Sequence, residues 1–192
     1  MEFIQHRNLQ GLHAPFSASQ SHWLRYDDEK VMDVYLNKKA AQMGTRLHEW
    51  AKETIDLGLK QDPRKKTTLN MYINDAIGFK MSTEVVLFYS ERFFGTADAI
   101  CYRNEKGKNV LRIHDLKTGK SGKIEDHVEQ LEVYAALFCL EYKIKPGEIE
   151  MELRVYKNDE VMRHTPTAED ILPIMDKIIH LDKLLQKIDE ED

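Results

Sequence analysis

The spacing of apolar residues divides the chain into a helical first part and a strand-rich second part. Apolar residues at intervals of three and four predict a helix from about Lys39 to Leu59, and the same spacing predicts a second helix capped near Gly78. Ser17 precedes another apolar group and predicts the start of an earlier helix, because hydroxyl side chains favour the N-cap.

Beyond residue 80 the pattern is typical of strands. Runs rich in β-branched and aromatic residues predict strands over 84–89, 93–102 and 110–116. The polar stretch 104–108 predicts a hairpin loop between the last two strands.

A helix is expected next, from about Glu125 to Tyr142, followed by an alternating strand over 151–156 and a short partner after a turn at 158–159. The last helix is expected to have Asp170 as its N-cap, which would place Pro173 at the third helical position, where a missing N–H costs little.

This order of elements predicts an α/β or α+β fold with one mixed sheet covered by helices. An antiparallel meander followed by a strand–helix–strand crossover requires both kinds of strand pairing. We expect a single domain over 1–192, with a helical N-terminal region over about 17–80 and an acidic tail over 189–192.

Composition favours a folded, water-soluble chain. The 192 residues are 42% hydrophobic and 32% charged, the balance of a globular protein. No apolar run approaches the ~18 residues of a membrane span, and the first residues lack a secretory pattern, so a cytoplasmic location is expected. Cys101 and Cys139 are too few for a disulfide framework, a four-cysteine zinc site or an iron–sulfur cluster.

The net charge of −5 conceals local basic segments. Residues 189–192 contribute four negative charges, while the segment from Lys38 to Lys66 has eight Lys/Arg against four Asp/Glu. Lys117, Lys120 and Lys123 form a run without acids. Local patches of this kind matter for a polyphosphate partner, although a solvated lysine face is an equal alternative for any one cluster.

Several common catalytic motifs are absent. The segment Gly119–Ser121 resembles the end of a P-loop, but position 114 holds His instead of the required Gly, so no nucleotide is expected. His48 is followed at the fourth position by Lys52, which excludes the two-histidine zinc-protease helix. No Gly-x-Ser-x-Gly elbow occurs.

Charged residues instead occupy predicted strands. Asp98 interrupts an apolar strand, Asp115 lies near the end of the next, and Lys117 shares the strand face of Asp115. If these strands pair, the two carboxylates and the ammonium meet at one end of the sheet. Crowded carboxylates repel each other unless a cation neutralises them, and Mg²⁺ or Mn²⁺ suits such ligands. A buried Asp–Lys ion pair is the plainer and far commoner explanation of an isolated Asp-x-Lys.

Two helices add polar residues of less specific meaning. His48 follows Gly44 by one turn on an apolar-patterned helix, where a core histidine is commoner than a ligand. Gln130 and Tyr134 are four residues apart and share a helix face.

Taken together, these segments resemble the RecB-like branch of the PD-(D/E)XK nuclease superfamily. The matching segments, in chain order, are Gly44–His48, Gly95–Asp98, Asp115–Gly119 and Gln130–Tyr134. Each is short, but all four occur in the family's order and in its expected helices and strands. The resemblance extends from about residue 17 to residue 156.

The resemblance implies a role for each matching residue. Asp98, Asp115, the carbonyl of Leu116 and His48 would hold Mg²⁺ or Mn²⁺, and Lys117 would position or deprotonate the attacking water. Gln130 and Tyr134 would order the site and the strand being cut. Apart from the resemblance, Lys120 and Lys123 lie in the loop beyond Gly119 and are expected, with Arg46, to contact the nucleic acid. Glu84 is a candidate for a further acid near the metal, or equally a surface residue.

The expected function is a metal-dependent DNA nuclease, favoured as an exonuclease on ends or single strands. A structure- or strand-specific endonuclease is the alternative within the class, and a non-catalytic nucleic-acid-binding or interaction module is the alternative outside it. RNA stays open as a substrate.

Relatives with an iron–sulfur cluster need cysteines that this chain lacks. Small nucleases of this kind are typical of phage recombination modules, so a recombination or replication protein is a candidate partner. The sequence does not determine the oligomeric state.

Overall fold

A computed structural model describes residues 14–119 and 121–191. The chain divides into two compact units, residues 1–45 and 46–192. In the first unit, a 3-10 helix over Ala18–Arg25 has no side-chain cap from Ser17. Ser17 thus occupies the predicted N-cap position, but its hydroxyl does not cap the helix and lies 2.9 Å from that of Ser19 instead.

Besides short 3-10 helices, the described residues form four α-helices and five strands, in an order that agrees with the predicted one. They are α1 (Asp28–Asp56), α2 (Thr68–Gly78), β1 (Ser82–Ser90), β2 (Phe93–Glu105), β3 (Lys108–Leu116), α3 (Val128–Tyr142), β4 (Glu150–Lys157), β5 (Glu160–His164) and α4 (Ala168–Glu191). Helix α1 begins eleven residues before the expected start, since Asp27 accepts a hydrogen bond from the Lys30 N–H at 2.8 Å and caps it. Helix α2 ends with Gly78, and Phe79 is its C-cap.

A five-stranded mixed sheet in the order β1–β2–β3–β4–β5 organises the second unit. The pair β3–β4 is parallel and the other three pairs are antiparallel. Helix α3 forms the crossover between the parallel strands. The tight hairpin between β2 and β3 uses Lys106 and Gly107, both with positive φ, as a two-residue turn requires. The predicted mixed sheet flanked by helices is thereby confirmed.

Helices pack on both faces of this sheet. One core joins β1–β4 to α3 and α4, and its fully buried members include Leu111, Ile113, Leu153 and Ile171. The other joins the opposite face to α2 and the last turns of α1 through Ala51, Tyr72 and Ile73 among others. The sheet is therefore the middle of three layers.

The start of α4 differs from the prediction. Thr167 donates from its N–H and its hydroxyl to Asp170 Oδ2 at 2.7 and 2.8 Å, so the helix begins at Ala168 and Asp170 lies inside its first turn. Pro173 is consequently at the sixth helical position, on an exposed side where water can serve the freed carbonyl. Residues 189–191, expected as an acidic tail, continue this helix, and the Asp189 carboxylate pairs with Arg92.

No helix in the described part of the chain is both long enough and apolar enough to cross a bilayer.

Candidate metal and catalytic site

Asp98 and Asp115 lie side by side on adjacent strands. The paired register of β2 and β3 ends at Ala99 opposite His114, and the two aspartates are the next residues on their strands. The Asp115 side chain is only 3% exposed and that of Asp98 18%. The backbone N–H of Leu116 donates to Asp98 Oδ2 at 2.8 Å. The hairpin thus brings together the two carboxylates that the sequence pattern singled out.

Lys117 extends this group toward α3. Its Nζ lies 3.1 and 3.0 Å from the two oxygens of Asp115 and donates to Gln130 Oε1 at 2.9 Å. Gln130 in turn donates from Nε2 to the Tyr134 hydroxyl at 3.0 Å. The Lys117 backbone N–H donates to Tyr156 O at 2.9 Å. This bond holds Lys117, the first residue after β3, against the neighbouring strand β4.

Gly95 makes room for the end of this hydrogen-bonded chain. A Cβ at Gly95 would lie 2.8 Å from Tyr134 Cε1, closer than non-bonded carbon atoms approach. A residue without a side chain is therefore required for the ring of Tyr134 to lie against β2.

His48 and Glu84 approach Asp98 from α1 and β1. His48 Nδ1 is 3.6 Å from Asp98 Oδ2, and ligand atoms of His48, Glu84 and Asp98 lie within 4.8 Å of one another. Glu84 is opposite Asp98 in the register of β1 and β2, and its φ of 52° is unusual for a residue with a side chain. The sequence pattern left Glu84 undecided; the structure brings its carboxylate into the same group.

Crowding of negative charge changes the titration of this group. Burial, and then the neighbouring Asp115 carboxylate, raise the pKa of Asp98 to about 6, while the Leu116 N–H, His48 and Lys117 act in the opposite direction. Burial also raises the pKa of Tyr134, which keeps its phenol neutral. Asp115 Oδ2 accepts no well-directed hydrogen bond from the described residues, although Lys117 Nζ is close to it.

These residues fit a divalent cation. The carboxylates of Glu84 and Asp98 offer the hard oxygen ligands that Mg²⁺ and Mn²⁺ take, and the His48 imidazole adds a nitrogen ligand. These three residues would hold the ion. Asp115 is not in this group of close ligand atoms, and its predicted role as a ligand stays a prediction. Leu116 is fully buried between Asp115 and Lys117, and the role of its carbonyl stays a prediction.

Residues expected to contact nucleic acid are only partly placed. Arg46 and Lys123 are exposed, and the Lys123 N–H donates to Asp126 Oδ2 at 2.9 Å. Lys120 lies outside the described residues.

Sequence reasoning did not find two features of the surroundings of Lys117. Lys157, 2% exposed, donates from Nζ to the carbonyl of Ser121 at 2.5 Å and so anchors the loop after β3. A hollow of about 320 Å³ lies beside Lys117, and its other lining residues are Leu47, Thr67, Thr68, Leu69, Thr118, Asn158 and Asp159. No sequence motif marks Lys157 or the hollow. The one available signal for Lys157 was a lysine at the end of an apolar strand.

Comparison with known proteins gives little. No family model matches the chain, and no curated protein does. A solved structure titled "Crystal structure of SSO0001" is similar over 59% of this chain and 57% of that chain, with 17% sequence identity and a TM-score of 0.35. The chain therefore spans little more than half the length of that protein, and a TM-score of this size bears on neither fold nor function.

Proposed function

We propose that the protein is a Mg²⁺- or Mn²⁺-dependent nuclease similar to the RecB-like branch of the PD-(D/E)XK superfamily, and that it hydrolyses phosphodiester bonds in DNA. The observation that carries this proposal is the meeting of Asp98, Asp115 and Lys117 where the end of β3 lies beside the middle of β2. A buried ion pair alone would need one acid and one base, whereas this group holds a second and a third acid close by.

The two aspartates supply the negative charge of the site. When bound, the cation would lower the pKa of a coordinated water and neutralise charge on the phosphate. Asp98 Oδ2 accepts a hydrogen bond from the Leu116 N–H, and this bond holds its carboxylate against β3. Both oxygens of Asp115 lie within 3.1 Å of the Lys117 ammonium, and only Oδ1 accepts a hydrogen bond from it.

The contacts of Lys117 leave its ammonium group able to bind a water or the reacting phosphate. An ammonium group has three N–H donors, and the contacts with Asp115 and Gln130 use two of them. The third is free for a water or a phosphate oxygen. Gln130, itself held by Tyr134, binds the ammonium from one side and Asp115 binds it from the other. Its charge therefore acts at one fixed place, which favours stabilisation of the developing negative charge.

A cleavage assay on end-labelled linear, circular and single-stranded DNA, with Mg²⁺, Mn²⁺ or EDTA, tests the proposal. We expect cleavage with either metal, none with EDTA, and none from the Asp115→Asn variant. Loss of linear and single-stranded DNA with circular duplex intact supports the exonuclease; cutting of circular DNA supports the endonuclease alternative. An RNA substrate decides the sugar preference. Metal-independent DNA binding without any cleavage would overturn the proposal in favour of a non-catalytic module.

A further inference from the structure

A cluster of unpaired cations, here called the cationic face, surrounds a hollow of about 360 Å³ beside α2. The cations are Lys65 and Lys66, from the loop before α2, and Arg163 on β5. All three side chains are exposed. None of them takes part in an ion pair formed by the described residues. Their positive charge is therefore available to a partner.

The carboxylate that lines this hollow is already neutralised. Asp75 Oδ2 accepts from Arg154 Nη1 at 2.7 Å and from the Tyr156 hydroxyl at 2.7 Å. Arg154 itself is 5% exposed, so this pair lies beneath the hollow. The hollow consequently presents about three positive charges and no free acid, and the complementary ligand is a multiply charged anion.

The cationic face and the hollow beside Lys117 are lined by neighbouring residues of the same two chain segments. Residues 65–66 lead directly into Thr67 and Thr68, which line the hollow at Lys117, and β5 with Arg163 follows the turn at 158–159 that lines it too. Asp159 lies at this junction, where its Oδ1 accepts from the Thr68 N–H and hydroxyl at 2.7 and 3.0 Å. The amino end of α2 partly offsets that negative charge.

We propose that the cationic face binds phosphates of the nucleic-acid strand as it leaves the site at Lys117. The inference rests on the proposed function and adds the path of the substrate to it. Lysine and arginine contacts of this kind fix the strand's position without reading its sequence. Because the two hollows are lined by adjacent residues of the same two chain segments, they favour a polymer that reaches both, which a free phosphate or a mononucleotide cannot do.

Salt dependence of binding measures this contact directly. The test variant carries Lys65→Gln, Lys66→Gln and Arg163→Gln, and the matched control carries Lys177→Gln, Lys183→Gln and Lys187→Gln, three exposed residues of α4. Both lose the same charge. Equilibrium binding of a fluorescent single strand and of a duplex is followed over a range of salt concentrations, with EDTA present to prevent cleavage.

The test variant should lower the slope of log K against log salt by about 2 for the single strand and by about 3 for the duplex, because each lost phosphate contact contributes about 0.7 or 0.9. Each single substitution should lower the single-strand slope by about 0.7. The control variant should keep the slope of the wild-type protein.

Equal slopes for the test variant and the control would overturn the cationic face as a phosphate contact. A second result would also overturn it. If the wild-type protein bound polyglutamate more tightly than DNA, and the test variant lost the binding of polyglutamate, the partner would be an acidic protein. Failure of the proposed function looks different: the wild-type protein would not cleave DNA with either metal, whatever the salt slopes of the two variants.

Discussion

Asp98→Asn tests the electrostatic cost of building this site without its cation. The substitution removes the charge but keeps an oxygen that can accept the Leu116 N–H. Burial and Asp115 raise the pKa of Asp98 from its ordinary 3.8 to about 6, so the folded protein binds this proton more tightly than the unfolded chain does. The contribution of Asp98 to the free energy of unfolding is therefore fully present below pH 4 and is lost as the pH rises to about 6. Above that pH the loss amounts to as much as about 3 kcal/mol, since one pH unit corresponds to about 1.4 kcal/mol.

Urea and thermal unfolding of the protein in EDTA measure this cost. At pH 8 the Asp98→Asn variant should be more stable than the wild-type protein by up to about 3 kcal/mol, or roughly 6–12 °C in Tm for a chain of this size. Near pH 4 the two should have nearly equal stability. Added Mn²⁺ should raise the Tm of the wild-type protein more than that of the variant, because only the wild-type site is complete.

Asp176→Asn, at an exposed position on α4, is the matched control and should change neither quantity. A variant of Asp98 as stable as the wild-type protein at pH 8, or less stable, would show that Asp98 is not held in a repulsive environment. An equal gain in Tm from Mn²⁺ in both proteins would place the metal elsewhere.

Three further substitutions test the other parts of the site. Lys117→Ala should slow single-turnover cleavage by about 100-fold or more, the effect of losing one charge-stabilising donor, while DNA binding stays within about twofold; parallel losses of rate and affinity would make it an ordinary phosphate contact. His48→Gln should raise the Mn²⁺ concentration for half-maximal activity by about 10-fold or more, and an unchanged metal titration with a lowered Tm would mark a core histidine. Gly95→Ala should cost about 1–3 kcal/mol in urea unfolding, because its Cβ meets Tyr134 at 2.8 Å. In a Tyr134→Ala background the same substitution should cost much less, as a double-mutant cycle would show.

Local pattern was sufficient for the central part of the fold. Asp98 and Asp115 could be placed together from sequence, because the loop at 104–108 is too short for anything but a hairpin and the hairpin fixes which strands are neighbours. Lys117 followed from the two-residue period of a strand. These inferences needed only contacts between residues close in the chain.

Features that depend on tertiary contacts were missed. The first three turns of α1 carry Met32, Tyr35 and Leu36, which are 59%, 49% and 60% exposed, so no buried stripe marks the helix there. Glu84 joins the candidate site only through the register of β1 against β2 and a backbone turn at positive φ. Neither quantity is determined by the residues around Glu84.

The conformation of Glu84 also affects how the sheet ends. β1 is an edge strand, and its exposed side chains include Val86 and Phe88, a combination that invites pairing with another chain. Its regular pairing is interrupted at Glu84 and shifts again between Phe88 and Ser90, while the Phe88 N–H is taken by Glu141 Oε2 at 2.9 Å. Only the three residues 85–87 therefore offer an uninterrupted template to an incoming strand. The backbone irregularity that brings an acid to the candidate metal site thus also protects the open edge against aggregation.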